Sequence, residues 1–155
     1  MRIDDFGGGS GVSIDAHFRR IVIMEDIKSY VESLINKYGS SVYMCNPNVD
    51  NGEAGIIPGA LKELYGFMSK ASLPFGEIFS VEEALRQSER NPFKPDWFVF
   101  GKDRYFSFWL CLYNPDDEGL SFTSWDHDSG NEIDGAVWTD VISFLKDMEQ
   151  EYEEV

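Results

Sequence analysis

From Met24 onward the apolar positions Met24, Ile27, Val31, Leu34, Ile35 and Tyr38 recur at the three- and four-residue spacing of an amphipathic helix. Gly39 follows the last of them and predicts the helix end, because glycine takes a left-handed cap without strain. Residues 45–55 hold Asn46-Pro47-Asn48-Val49-Asp50-Asn51-Gly52, types that favour turns, and predict a loop. A second helix is expected to open at Pro58, whose missing N–H costs nothing in a first turn, and to run through Leu61, Leu64, Tyr65 and Met68. Gly66 weakens it by about 1 kcal/mol relative to alanine. Residues 73–79 predict a turn feeding a short strand. Ser80-Val81-Glu82-Glu83 then has the form of a capping box, in which hydroxyl and carboxylate reciprocally satisfy end donors, and opens a third helix over 81–89. Asn91-Pro92 and Lys94-Pro95 stop it.

A strand meander follows. Residues 97–100 are a strongly apolar run, 101–104 a turn, and 105–113 a long aromatic strand. Residues 114–119 make a second turn, 120–125 a third strand and 126–131 a third turn. Trp138, Val141, Ile142, Leu145, Met148 and Tyr152 then form an apolar stripe on a closing helix that starts at Thr139 or Asp140. Glu149, Glu151, Glu153 and Glu154 oppose its dipole and predict a frayed last turn. The expected fold is α+β, an antiparallel sheet meander with helices packed around it.

With 155 residues and 43% hydrophobic content, the chain supports one core. The expected division is a flexible glycine-rich leader over residues 1–13, containing Gly7, Gly8, Gly9 and Gly11, and a single domain over 14–155. The leader lacks the strand, Lys and hydroxyl of a phosphate-binding loop, and it does not read as a signal peptide. Charge changes the picture more. Thirteen Lys plus Arg against 28 Asp plus Glu give a net −15, the wrong sign for gripping a phosphate backbone or an anionic membrane, so neither nucleic acid nor membrane is an expected partner. No apolar run reaches the roughly 20 residues that span a bilayer. Residues 1–113 carry 15 acids and 12 bases, net −3, while residues 114–155 carry 13 acids and the single base Lys146, net −12. Cys45 and Cys111 fit neither a metal pair nor a disulfide framework, which makes a reducing cytoplasm the default and leaves one bridge between them open.

Several landmarks, in this order, resemble the SUKH superfamily, which groups fungal cell-wall-synthesis regulators with bacterial immunity proteins of polymorphic toxin systems. They are Ile57-Pro58 before Leu61-Lys62-Glu63-Leu64-Tyr65, then Phe79-Ser80-Val81-Glu82-Glu83-Ala84, then Trp97-Phe98-Val99-Phe100-Gly101-Lys102-Asp103. Trp125-Asp126-His127-Asp128 followed by Gly130 resembles the tryptophan-acid-histidine turn of bacterial members, and Val141-Ile142-Ser143-Phe144-Leu145 their closing helix. Ile57-Pro58 stands where the family has Leu-Pro, and Lys70-Ala71-Ser72-Leu73 where it has an Asn-Gly-Gly type turn. The resemblance implies a SUKH-like sheet with helices around it and a cytoplasmic protein that neutralises a cognate toxin by binding it. It implies no catalytic residue, metal or cofactor.

Three places offer candidate chemistry. A nucleophile would pair Cys45 or Cys111 with His127 or His17, but neither cysteine has a catalytic signature around it and Cys111 lies between Leu110 and Leu112 as a core residue would. Asp126-His127-Asp128 with Glu132 or Asp134 offers oxygen ligands, although Asx residues are what tight turns select. The acidic sector weighs most. Asp116, Asp117, Glu118, Asp126, Asp128, Glu132 and Asp134 fall in two successive turns, which would concentrate one negative field if the turns converge. Trp97, Trp109 and Trp138 read as core; Trp125, at a strand end beside the acidic turn, reads as an interface residue. The expected function is an immunity protein that holds a basic toxin domain, plausibly a nuclease, through this acidic surface. The alternative is a regulatory or scaffold module of the same fold with an endogenous cell-wall or signalling partner.

Overall fold

The structure is a computed structural model that describes residues 26–47 and 56–154. The leader expected over 1–13, His17, Met24 and most of the polar loop lie outside the described residues. Asp26 caps helix α1 (Ile27–Tyr38), its carboxylate accepting the Ser29 N–H at 2.8 Å. Gly39 ends α1 with φ +60° as expected, and the chain passes through a short 3-10 turn into strand β1 (Tyr43–Cys45). Pro58 lies one residue before a 3-10 turn (Gly59–Leu61), which leads into helix α2 (Lys62–Phe67), a later start than Pro58 predicts.

Strands β2 (Lys70–Leu73) and β3 (Gly76–Ile78) make a hairpin where a single short strand was expected. Ser80 caps helix α3 (Val81–Ser88) by accepting the Glu83 N–H at 3.1 Å. The reciprocal half of the capping box does not form, because the Glu83 carboxylate turns to Arg86 and Gln87 further along the helix. Strand β4 (Trp97–Asp103) runs three residues beyond its expected end, so the turn to β5 (Ser107–Leu112) shifts to residues 104–106. Strand β6 (Phe122–Asp126) and helix α4 (Val141–Glu153) complete the chain.

The six strands form one antiparallel sheet in chain order, β1-β2-β3-β4-β5-β6, and the protein is α+β with a strand meander. Among the described residues the meander has six strands; counting β-branched and aromatic runs found three and hinted at a fourth. Helices α1, α2 and α4 cover one face. Phe144 of α4 is fully buried there against Phe100, Trp109, Phe122 and Trp138, with ring centroids 5.8, 5.8, 6.0 and 5.1 Å away. Trp109 is likewise fully buried, while Trp97 and Trp138 are half-buried against the core. Helix α3 packs against β4 beyond the end of β3, where the Ser88 hydroxyl accepts the Val99 N–H at 2.8 Å.

The last turn of α4 does not fray. Helix α4 continues to Glu153 because α1 supplies the positive and donor groups its C-terminal end lacks: Glu149 accepts from the hydroxyls of Tyr30 and Tyr38 at 3.2 and 3.0 Å. Lys37 pairs with both Glu149 and Glu153. Two predicted stripe positions face outward instead, Ile35 and Tyr152 being exposed.

Candidate functional site

The acidic sector is arranged by the meander. In an up-and-down sheet successive turns alternate between ends, and the register fixes which is which. Ser107 pairs with Asp126 and Cys111 with Phe122, so the 114–119 turn and the 126–131 turn sit at opposite ends of β6. The expected convergence at one sheet end is therefore corrected. What joins the two ends is the chain after β6: it leaves at Asp126 and returns antiparallel, with Val137 N–H donating to the Phe122 carbonyl at 2.7 Å. Glu132 and Asp134 lie on this returning segment, and both are exposed. Asp126 and Asp128 at one end, Glu132 and Asp134 between, and Asp116, Asp117 and Glu118 at the other thus follow the β6 edge, a length of about 14 Å over the strand itself.

Each end is held by its own aspartate. The Asp116 carboxylate accepts the N–H groups of Glu118 and Leu120, both at 2.9 Å, and Gly119 takes the φ of +82° that closes the turn. Asp126 accepts the Asp128 N–H at 2.9 Å and opens the 3-10 turn at His127. The ring of His127 stands between carboxylates, Nε2 at 3.3 Å from Asp128 and Nδ1 at 3.7 Å from Asp126. Ligand atoms of these three residues lie within 4.8 Å of one another and all three are exposed, with one Asp126 oxygen also accepting the Asp128 N–H that closes the turn. Asp117 and Glu118 are exposed and, among the described residues, form no ion pair. Further round the same end as Asp126, Glu151 has its carboxyl held above the usual range by partial burial and by the neighbouring charges of Asp103, Asp147 and Glu154.

Trp125 is not the exposed aromatic that its position predicts. It is half-buried, stacked on Phe108 at 6.2 Å and edge-on to Phe93 at 5.1 Å, and its indole N–H is buried without a partner. The exposed aromatics beside Asp126 are Tyr105 and Phe106, each 63% accessible, in the β4–β5 turn. Sequence reasoning placed both inside β5. The available signal was Asp103, an Asx residue two positions before Tyr105, whose carboxylate accepts the Tyr105 and Ser107 N–H groups at 2.8 and 3.0 Å and so marks the true turn.

A second concavity lies on the face that α3 leaves bare. The cross-strand row Tyr43, Ser72, Glu77, Lys102 and Phe108 floors an open groove of about 640 Å³ walled by α3. Its cations Lys70, Arg86 and Lys102 are matched by Glu77, Glu82 and Glu83, so it has no net sign.

Among the described residues, which do not include His17, the nucleophilic pairing is not assembled. Cys111 is fully buried and burial pushes its thiol up to about 12. It lies four residues along β5 from the strand end that carries His127, about 13 Å. Cys45 is on β1 at the far edge of the sheet, and both cysteines are free thiols, which closes the question of a bridge. No described helix is long and apolar enough to cross a membrane. No family model matches the chain, and no curated protein does.

Proposed function

We propose that the protein is a SUKH-like immunity protein, cytoplasmic and non-catalytic, that neutralises a basic toxin domain by stoichiometric binding along the β6 edge. The observation that carries this reading is the display of Asp116, Asp117, Glu118, Asp128, Glu132 and Asp134, all exposed, along one edge of the sheet. A negative surface of this extent raises the association rate with a basic partner and makes that rate fall with salt. A nuclease domain fits, because its own substrate groove has to be positive. Inhibition is by occlusion, with no turnover and no cofactor.

The reading predicts that a toxic C-terminal domain is encoded beside this gene, and the test uses that domain. Mixed with the protein, it loses activity at one-to-one stoichiometry. Replacing Asp116, Asp117 and Glu118 by Lys slows association about tenfold or more at low salt and little at high salt. A toxin domain that neither binds nor is inhibited, or a stable endogenous wall or signalling partner in its place, refutes the immunity reading. An unchanged association rate in the triple variant removes the acidic edge from the mechanism.

A further inference from the structure

We propose that the β4–β5 turn is a preformed aromatic anchor, in which Tyr105 and Phe106 enter an apolar socket rimmed by Lys or Arg on a protein partner. This rests on the reading of the β6 edge as a protein-binding surface and names what the partner must carry opposite one end of it.

Three observations point to an anchor rather than to two stray aromatics. The first is exposure. Tyr105 and Phe106 are adjacent, each 63% accessible, and two aromatic side chains of this size left that bare offer roughly 200–300 Å² for a partner to cover. Aromatic residues are enriched at the cores of protein interfaces, and tyrosine among the few residues that carry most of the binding energy. The second is that the turn beneath them is tied down. Asp103 accepts the N–H groups of Tyr105 and Ser107, and the Arg104 guanidinium donates to the carbonyls of Leu73 and Pro74 at 2.6 and 2.5 Å, lashing the turn to the β2–β3 hairpin. The His127 ring meets Phe106 edge-on at 5.1 Å and supports it from one side. The backbone is ordered before any partner arrives, so binding does not have to order it.

The third observation is the charge around the knob. Asp126 and Asp128 stand beside it on either side of His127, with side chains 48% and 81% accessible, and Asp103 and Glu151 lie toward α4. Among the described residues the side chain paired with Asp126 and Asp128 is the imidazole of His127, which carries charge only when protonated. An apolar socket with an acidic or neutral rim would bring like charges together or leave these carboxylates desolvated without partners; a basic rim pairs them. Tyr43 is as exposed as Tyr105 but sits in the charge-balanced groove on β1, and so serves as the control.

The experiment is selection from a display library of disulfide-cyclised peptides on the full chain. Selected peptides are expected to carry apolar residues flanked by Arg or Lys. They should lose about 10- to 100-fold in affinity on Phe106→Ala, with a smaller loss on Tyr105→Ala and on the pair Asp126→Asn with Asp128→Asn, and none on Tyr43→Ala. Thermal unfolding of each variant confirms that these exposed changes leave the fold intact. Peptides that lack basic residues, or that bind Phe106→Ala as well as the parent, overturn the anchor, as does a library that yields no binder. If such peptides are weakened only by Asp116, Asp117 and Glu118 to Lys, the acidic edge stands and the anchor falls. If the neighbouring toxin domain is not inhibited but peptides dock on Phe106, the anchor stands and the toxin reading falls.

Discussion

Two glycines offer the same substitution with opposite expected signs. Gly66 lies within α2, and a Cβ built on it meets nothing within 4 Å, so Gly66→Ala removes backbone freedom from the unfolded chain at no steric cost. The gain is about 0.5–1 kcal/mol. Gly101 lies in β4, where a Cβ would run into the Glu77 carbonyl oxygen of β3 and stand 2.6 Å from Cε3 of Trp109. Carbon atoms prefer separations of about 3.5–4.0 Å, so roughly 1 Å has to be found. The ring cannot supply it, because Trp109 is fully buried and packed against Phe75, Phe100 and Phe144 at 6.1, 6.1 and 5.8 Å. Overpacking of this kind costs about 1–3 kcal/mol, and one of the two collisions is with backbone, which places Gly101→Ala toward the upper end. At about 2–4 °C per kcal/mol for a chain of this size, Gly66→Ala raises Tm by about 1–4 °C and Gly101→Ala lowers it by about 2–12 °C. Urea unfolding followed by tryptophan fluorescence, with thermal melts by circular dichroism, reads both. A double variant with Trp109→Leu should cost less than the sum of the singles, since the smaller side chain vacates the space the new methyl needs. A Gly101→Ala protein within about 0.5 kcal/mol of the parent, or a strictly additive double variant, would refute the account of Trp109 lying across Gly101.

Two further predictions concern the helical side and the thiols. Glu149→Ala removes the acceptor shared by Tyr30, Tyr38 and Lys37 and should lower stability by about 1–3 kcal/mol, while Glu149→Gln, which keeps one acceptor oxygen, recovers part of the loss in denaturant melts. A maleimide should modify half-buried Cys45 in the native protein and spare Cys111, whose burial holds the thiol near 12, with the second modification appearing only as the chain unfolds; mass spectrometry across a urea series checks this.

The helices were legible because their apolar spacing is long enough to count. Strands β1 and β2 were not, being three and four residues long and lacking the run of branched and aromatic side chains that marks a buried strand. The signal in β2 was its alternation: Lys70 and Ser72 are exposed, while Ala71 and Leu73 are buried. The β4–β5 turn was misplaced for a different reason. Gly101-Lys102-Asp103 has turn composition, yet Gly101 is in the strand because the Trp109 ring crosses it, a tertiary demand that no local pattern states. The same override appears at the end of α4, where a run of glutamates that opposes its own helix dipole is held by Lys37 and Tyr38 from α1, more than a hundred residues earlier in the chain.

Counting charges found the acidic sector but not its shape: the placing of successive turns at opposite ends follows from the antiparallel connectivity of the meander, but the return of the chain toward Phe122 depends on where Trp138 pairs. Weighing turn-forming aspartates against binding aspartates also set up a false choice. Asp103, Asp116 and Asp126 each spend a carboxylate oxygen on backbone N–H groups, and that role fixes the turns. A hydrogen bond to a neutral amide leaves the negative charge in place, so the residue that shapes the turn also contributes to the field outside it. Asparagine keeps the accepting oxygen and drops the charge. That is why the anchor is probed with Asp126→Asn rather than with alanine: a loss of binding then reports the field, with the turn that presents Phe106 still closed.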